Sequence, residues 1–279
     1  RYELFRQALT HYSERQEKIQ DRQMTQQHSS KGLSVVIITR NEEDNIRDCL
    51  ESIRWADEII VVDSASTDRT GDICREYGVR FFIEPWEGFA RQKNSAVGKA
   101  TREWILSLDA DERVTPELKN EIIAVLNSAH PKDGYYIARK NFFLGRWIRR
   151  CGWYPDSTLR LFQRCKGLFG IREVHEAVEL KGVSGHLQHP MEHYTYKSLS
   201  DFMVRLDRYS TLAAQELLKE NKKYGMLHIV FRPLYTFINM YLMRLGFLEG
   251  YYGFIISGLY AFYTFLKYIK LRELQGSQK

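Results

Sequence analysis

A regular alternation of apolar strand-like runs and helix-like segments between residues 33 and 128 restricts the fold more than any other feature of the chain. Leu33–Thr39, Glu58–Asp63 and Trp104–Asp109 are nearly continuous apolar runs, and Val79–Ile83 is a shorter one. Such runs are typical of parallel strands that are buried on both faces. We therefore predict an α/β fold with a doubly wound, mixed but mostly parallel sheet, which binds its ligands at the carboxyl ends of the strands.

Helical spacing of apolar residues separates these strands. It predicts helices over Glu42–Arg54, Thr67–Tyr77 and Phe89–Ala100. A further helix is predicted to begin at Pro116, with Thr115 as its N-cap.

The composition divides the chain into three parts. Residues 1–32 are predicted to form a polar helix and a linker, and residues 33–196 an α/β domain in which residues 135–194 are a mixed-strand insertion that covers the ligand-binding edge of the sheet. Residues 197–279 are predicted to be a C-terminal helical region. The N-terminal helix carries a thin apolar stripe, which favours packing on the domain or on a second subunit, so a homo-oligomer is one expectation.

Acidic side chains follow two of the predicted strands. The second strand ends in Asp63, and the fourth continues as Asp109-Ala110-Asp111-Glu112. Two carboxylates that are two residues apart at the end of a buried strand can face one hard cation, and Mg²⁺ and Mn²⁺ prefer carboxylate and phosphate oxygens. This position favours a divalent-cation site over a solvated turn.

The first strand is not followed by a glycine-rich phosphate loop. The chain lacks G-x-G-x-x-G at this position and G-x-x-x-x-G-K-[ST] throughout, which argues against a dinucleotide dehydrogenase and a P-loop NTPase. Three other motifs occur in order, Thr39–Glu43, Val62–Thr70 and Asp109–Glu112. In order and spacing they resemble the family 2 glycosyltransferases of the GT-A fold.

Later motifs extend the resemblance to about residue 271. They are similar to the bacterial branch that builds the lipopolysaccharide inner core, and they comprise Gly145–Asp156, Arg160–Phe162, Val174–Glu176 and His193–Tyr196. The resemblance implies an inverting enzyme, which transfers a sugar from a nucleotide-diphosphate donor, most often UDP-linked, to a glycan or lipid-linked acceptor.

The resemblance also implies where the donor binds. Thr39, Arg40 and Glu42 would line the pocket for the base and ribose, and Asp63 would accept a hydrogen bond from the uracil imide or a ribose hydroxyl. Three residues on the helix after the third strand would approach the nucleotide or diphosphate, unless they form a solvated helix face: Arg91, Lys93 and Asn94.

The implied cofactor is Mg²⁺ or Mn²⁺. Asp111 would be its direct ligand, and Asp109 would reach the ribose or a metal-bound water. Among the closely spaced His186, His189 and His193, the last fits the family pattern best and would close the metal or diphosphate site. A surface histidine is the alternative.

An inverting transfer needs one carboxylate that accepts the proton of the acceptor hydroxyl. Glu176 is the expected base and Asp156 the alternative. Trp153, Tyr154 and Arg160 are expected on the acceptor side, because aromatic faces stack on sugar rings and Arg pairs with phosphate or carboxylate. Trp153 could equally belong to the core.

The net charge of +6 lies entirely in the last third of the chain. Residues 197–279 contain 12 Lys and Arg against 6 Asp and Glu, and residues 224–268 hold 14 of the 37 aromatic residues. Bases that flank tyrosines and apolar residues are typical of the lipid headgroup interface. We therefore expect this region to lie in or dip into a membrane surface with anionic lipid, rather than to bind nucleic acid. A buried oligomer interface is the alternative.

The cysteines and the N-terminal residues bear on the cellular compartment. The four cysteines have no C-x-x-C spacing and are too few for a disulfide framework, and no apolar signal-peptide core is visible. We expect a peripheral or monotopic protein at the cytoplasmic face of the inner membrane. A non-catalytic nucleotide-sugar-binding or membrane scaffold protein on the same fold is the alternative function.

Overall fold

The computed structural model describes residues 32–170, 177–196, 198–219 and 224–276. The predicted N-terminal helix and the expected base Glu176 lie outside these ranges.

Four parallel strands form one half of the central sheet. They are β1 (Leu33–Thr39), β2 (Glu58–Asp63), β3 (Arg80–Ile83) and β4 (Trp104–Asp109). Their order in the sheet is β3–β2–β1–β4, so consecutive strands are not always neighbours. The predicted strands are confirmed, with one residue fewer at the start of β3. Because these strands are parallel, Asp63 and Asp109 end at the same edge of the sheet.

Helices cover both faces of this half-sheet, as predicted. They are α1 (Glu43–Ser52), α2 (Thr70–Glu76), α3 (Phe89–Lys99) and α4 (Pro116–Leu126). Helices α1, α2 and α4 pack with Val35 and Ile37 of β1, whereas α3 packs on the opposite face with Val36. Thr115 is the predicted N-cap of α4, and its Oγ1 accepts a hydrogen bond from the backbone N–H of Leu118 at 3.2 Å.

The remaining strands change the predicted role of residues 135–194. They are β5 (Glu112–Arg113), β6 (Gly134–Phe143), β7 (Arg146–Trp147), β8 (Asp156–Gln163), β9 (Gly167–Phe169), β10 (Val178–Leu180), β11 (Ser184–His186) and β12 (Met191–Tyr196). The sheet continues as β4–β8–β6–β12–β5, with β7 and β11 also paired to β6. The predicted insertion is therefore largely an extension of the main sheet. Its strand β8 hydrogen-bonds along the otherwise open edge of β4.

Three helices form the C-terminal region. They are α5 (Leu199–Lys219), α6 (Met226–Ile238) and α7 (Tyr251–Gly276), and a π-helical turn and a 3₁₀ turn join α6 to α7. Phe202 of α5 and Ile256 of α7 pack with Phe143 and Trp153 in one core, so this region is attached to the end of β6. No helix in the described part of the chain combines the length and the apolarity that crossing a bilayer requires.

Candidate active site

The centre of the site is a charged cluster at the carboxyl end of β4. One carboxylate oxygen of Asp109 lies 2.6 Å from Arg160 Nη2, and the other lies 3.0 Å from Lys93 Nζ. Lys93 comes from α3 and Arg160 from β8, and both are buried. Three separate elements therefore bring their charges together at this edge of the sheet.

Glu112 is a fully buried carboxylate behind this cluster. Its Oε1 lies 2.5 Å from Arg160 Nη2 and 3.5 Å from Arg139 Nη1. Its Oε2 accepts a hydrogen bond from the backbone N–H of Asp109 at 3.0 Å. A buried carboxylate needs such partners, because an unpaired charge in the interior is strongly unfavourable. Glu112 therefore supports both the backbone and the ion pairs of Asp109.

The cluster keeps Asp109 ionised. Burial alone would raise the pKa of this carboxyl, but the charges of Arg160 and Lys93 outweigh that effect and hold the pKa well below its usual range. The same contacts raise the pKa of Arg160 against the opposing effect of burial. Since both oxygens of Asp109 already have cationic partners, this carboxylate is positioned to orient Lys93 and Arg160.

Asp111 faces His193 across the end of the same strand. His193 Nε2 lies 3.5 Å from Asp111 Oδ1, and both side chains are mostly shielded from solvent. Asn141 Nδ2 donates to the carbonyl of Trp153 and to Asp156, so its Oδ1 is the acceptor for His193 Nδ1 at 2.7 Å. The Nδ1 atom therefore carries a proton, and Nε2 is the ring nitrogen that faces the Asp111 carboxylate.

This pair fits a divalent cation. A carboxylate oxygen and an imidazole nitrogen, both common ligands of divalent cations, face each other, and Asn141 fixes the imidazole as metal-bound histidines usually are. Within the described ranges, no group of three or more His, Cys, Asp and Glu side chains converges on such a position. The described protein thus offers two ligands and leaves other positions open, which suits a cation that also takes phosphate oxygens.

The loops after β1 and β2 are joined to each other. Asp63 is buried, and its Oδ2 accepts from the hydroxyls of Thr39 (2.8 Å) and Ser66, while its Oδ1 accepts from the N–H of Ser66 (2.7 Å). The backbone N–H of Glu42 donates to Thr70 Oγ1 at 2.8 Å, whereas Arg40 is exposed. Both carboxylate oxygens of Asp63 thus already accept hydrogen bonds from the protein. Asp63 holds together the two loops that are predicted to form the base pocket.

The three predicted residues of α3 have different environments. Lys93 reaches Asp109, but the Asn94 amide makes two hydrogen bonds of 2.8 Å to the backbone of Phe169 in β9. Arg91 is exposed and lies 3.7 Å from Glu87. Asn94 thus holds β9, which corrects the expectation that it approaches the nucleotide, and Arg91 lies on a solvated helix face.

The predicted acceptor-side residues are also separated. Arg160 is buried in the Asp109 cluster, and Trp153 is buried in the core shared with the C-terminal helices, so neither presents a free face to a sugar. Tyr154 is partly exposed and packs edge-to-face on Trp147, with ring centroids 5.6 Å apart. The burial of Arg160 corrects the expectation that it contacts the acceptor, whereas Trp153 takes the core position that was its alternative. The acceptor role of Tyr154 stays a prediction.

Asp156, the alternative base, lies between two side chains of β6. Its Oδ2 is 2.5 Å from Arg139 Nη2 and 3.1 Å from Asn141 Nδ2. The other two histidines lie elsewhere, because His186 stacks on Tyr136 and His189 lies 2.9 Å from Glu121.

Sequence reasoning missed three of these residues. Glu112 was part of a recognised motif, but its partners are 27 and 48 residues away in the chain, and Arg139 and Asn141 belong to a strand without a local motif. One signal was available: Arg139 and Asn141 alternate along β6, so their side chains lie on the same face of the sheet.

The order of strands, the acidic end of β4 and the linked β1 and β2 loops agree with a match to the family model for glycosyl transferase family 2, which covers residues 34–177. This chain belongs to that family, and the protein is a glycosyltransferase.

Two relatives match along most of the chain. The chain is 30% identical over 260 residues to the lipopolysaccharide core biosynthesis glycosyltransferase LpsC of Rhizobium meliloti (strain 1021), covering 88% of this chain and 94% of LpsC. It is also 30% identical over 257 residues to the uncharacterized glycosyltransferase RT0209 of Rickettsia typhi, covering 88% of each.

Among solved structures, S. aureus TarS 1–349 in complex with UDP has a TM-score of 0.45 at 18% identity, covering 88% of this chain and 91% of TarS 1–349. The family assignment rests on the sequence matches.

Proposed function

We propose that this glycosyltransferase transfers a sugar, with inversion, from a UDP-sugar to a hydroxyl of a lipid-linked or lipopolysaccharide-type acceptor. The observation that carries the proposal is the Asp111–His193 pair beside the Asp109, Arg160 and Lys93 cluster. The nature of the acceptor is supported by the similarity to LpsC over nearly the whole of both chains.

The leaving group of the donor is a nucleoside diphosphate, and its negative charge must be neutralised during transfer. Asp111 and His193 would hold Mg²⁺ or Mn²⁺, which when bound neutralises charge on the departing diphosphate. Asn141 keeps His193 Nε2 directed at that position. Asp109 holds Lys93 and Arg160 at the same edge, and Asp109 and Glu112 together balance these two positive charges, so neutralising the diphosphate would depend on the cation. Thr39, Arg40 and Glu42 would line the nucleotide pocket.

The acceptor half needs a base, and we assign Glu176 to this role. Asp156 is the weaker candidate, because Arg139 at 2.5 Å and Asn141 at 3.1 Å already occupy one of its carboxylate oxygens. Glu176→Gln is expected to keep UDP binding and to lose transfer. Retained transfer would move the base to Asp156.

The C-terminal hairpin of α6 and α7 would place the enzyme on the cytoplasmic face of the inner membrane. Within α6, Ile229 is the one buried residue. The helix exposes seven large apolar side chains: Met226, Leu227, Val230, Phe231, Leu234, Tyr235 and Ile238. An exposed apolar face of this extent is unusual for a surface that contacts only water.

Charge favours anionic lipid as the occupant of this face over a second copy of the chain. Burial lowers the pKa of Lys267, and the positive charge of the nearby Arg232 lowers it further. No carboxylate in the described ranges lies within ion-pair distance of either residue. Two copies that met face to face would bring these like charges together, whereas lipid phosphates would neutralise them.

Flotation with phosphatidylglycerol-containing vesicles tests the membrane proposal. Val230→Ser with Phe231→Ser is expected to abolish flotation, and Ile83→Ser with Val183→Ser is the matched control, because the latter side chains are equally exposed on the α/β domain. Equal flotation of both double variants would refute the assignment, and a concentration-dependent dimer lost only in the first would favour an oligomer interface.

Thermal shift with UDP tests the donor site directly. Mn²⁺ with UDP is expected to raise the melting temperature of the wild type, EDTA to remove the shift, and Asp111→Ala to abolish it. Asp72→Ala is the control, since Asp72 is an exposed aspartate in a surface ion pair. A metal-independent UDP shift, or one that survives in Asp111→Ala, would refute the metal site. Release of UDP from a panel of UDP-sugars then identifies the donor.

A further inference from the structure

The segment between β6 and β8 is strongly basic, although residues 1–196 as a whole are neutral. Residues 139–156 contain five Lys and Arg and one acidic residue. Arg139 is used by Glu112 and Asp156, which leaves four bases to account for: Lys140, Arg146, Arg149 and Arg150. Arg244, which follows the π-helical turn, joins them, because its guanidinium lies directly against Gly152.

These bases surround a pair of aromatic rings. The Arg149 guanidinium lies 4.3 Å from the centroid of Trp147, and Lys140 Nζ lies 5.2 Å from it. Tyr154 packs edge-to-face on Trp147. We call this group, formed by Lys140, Trp147, Arg149, Arg150 and Tyr154, the cationic loop.

Most of these charges lack a carboxylate partner. Arg146 lies 3.6 Å from Glu249, but no carboxylate in the described ranges lies within ion-pair distance of Lys140, Arg149, Arg150 or Arg244. Glu249 is itself buried and accepts the backbone N–H groups of Arg149 (3.0 Å) and Arg150 (3.1 Å). It therefore fixes the backbone of the cationic loop and leaves both guanidinium groups exposed.

The cationic loop is connected to the reaction site through Asn141. The carbonyl of Trp153, inside the loop, accepts a hydrogen bond from Asn141 Nδ2 at 3.0 Å. The same amide holds Asp156 and orients His193. On its other side the loop packs on the C-terminal hairpin, where the N–H of Cys151 donates to the carbonyl of Arg244 at 3.1 Å. The loop thus lies between the metal-site histidine and the apolar hairpin.

We propose that the cationic loop is the acceptor site and that it binds a saccharide carrying phosphate or carboxylate groups. Exposed guanidinium groups without carboxylate partners suit such anions, and the partly exposed Tyr154 ring beside them offers an aromatic surface to a sugar ring. This inference rests on the proposed function and deepens it: the acceptor is an anionic glycolipid whose lipid part lies toward α6 and α7.

Calorimetric titration with two matched glycolipids in neutral detergent tests this site. One pair carries a disaccharide with or without phosphate, and a second pair has a sugar carboxylate in place of the phosphate. The wild type is expected to bind the anionic member of at least one pair at least about tenfold more tightly than the neutral member, with the difference reduced at high salt. Arg149→Gln with Arg150→Gln is expected to remove that preference.

The control is Arg54→Gln with Arg75→Gln, which removes the same number of charges from two exposed arginines that follow or lie in α1 and α2 and form no part of the cationic loop. An equal loss in this control, or no preference for either anion in the wild type, would overturn the proposal. The proposal would also be overturned if the loop variant lost as much affinity for phosphatidylglycerol vesicles as for the anionic glycolipid, because the loop would then be a bilayer contact.

The UDP thermal shift with Mn²⁺ separates this inference from the proposed function. The loop variant is expected to keep the full shift, because its changes lie outside the donor site. If the shift is absent in the wild type as well, the proposed function fails. If it is present while the anionic preference is absent, only the acceptor inference fails.

Discussion

Replacing Glu112 by Ala should be among the most destabilising single changes in this chain. The carboxylate is fully buried and has three partners, which are Arg160, Arg139 and the backbone N–H of Asp109. Removing one member of a buried ion pair typically costs about 3–5 kcal/mol, because the remaining charge is left buried without compensation. Arg160 retains Asp109 and Arg139 retains Asp156, so we expect a loss near the lower limit, about 3 kcal/mol.

Glu112→Gln should not rescue this stability. One oxygen of Glu112 accepts a hydrogen bond from Arg160, and the other accepts one from the backbone N–H of Asp109. Both positions therefore need an acceptor. A glutamine must direct its NH₂ group at one of these donors, whichever way the amide is turned. We therefore expect a loss of about 2–3 kcal/mol for this nearly isosteric change.

Urea unfolding followed by tryptophan fluorescence, together with thermal melts, measures both variants. About 3 kcal/mol corresponds to a decrease of roughly 6–12 °C in melting temperature for a chain of this size class. Glu87→Ala is the control, because Glu87 forms an exposed ion pair with Arg91 and should change the stability by less than about 0.5 kcal/mol. If Glu112→Ala melts within about 2 °C of Glu87→Ala, the reasoning from the buried network is wrong.

Three further predictions concern the site and its supports. Asn94→Ala should lower the free energy of unfolding by about 2 kcal/mol through its two lost hydrogen bonds, without changing UDP affinity in titration calorimetry; a selective loss of UDP affinity would restore its predicted nucleotide role. Thr115→Ala should cost about 1 kcal/mol in urea unfolding through loss of the cap on Leu118, whereas Thr115→Ser should cost less. Because the pKa of Asp109 is depressed in the folded state, its stabilising contribution is present above about pH 4 and is lost as the pH falls through the folded-state pKa. The stability difference between wild type and Asp109→Asn should therefore be smaller at pH 2.5 than at pH 7, and an unchanged difference would contradict this.

The parallel half of the fold was predictable because its signals are local. Continuous apolar runs give buried strands, and β1, β2 and β4 begin and end where predicted. Residues 135–194 gave weaker signals, because their strands are antiparallel or short and take their places by pairing with β4 and with each other. The predicted covering insertion was therefore wrong in architecture, although its strand content was recognised.

Motif spacing was enough to select Asp109, Asp111 and His193 as candidate site residues, since each is part of a short recognisable pattern. Motif spacing could not show which charged side chains pair with each other in the folded protein. Arg160 was expected at the acceptor and is instead the buried partner of Asp109, because β8 pairs with β4 and brings that side chain under the carboxylate. Trp153 was open between core and acceptor, and the C-terminal helices bury it.

The amino-acid sequence alone was enough for the family, the order of the core strands and the acidic end of β4, because these depend on hydrophobic periodicity and on residues close together in the chain. Only the tertiary structure could decide which charges are neutralised. Glu112 and Arg160, 48 residues apart, pair in the interior, whereas Arg149 and Arg150 remain exposed because Glu249 binds their backbone and not their side chains. A residue's charge is set by its type, but its availability to a ligand depends on partners that only folding brings within reach.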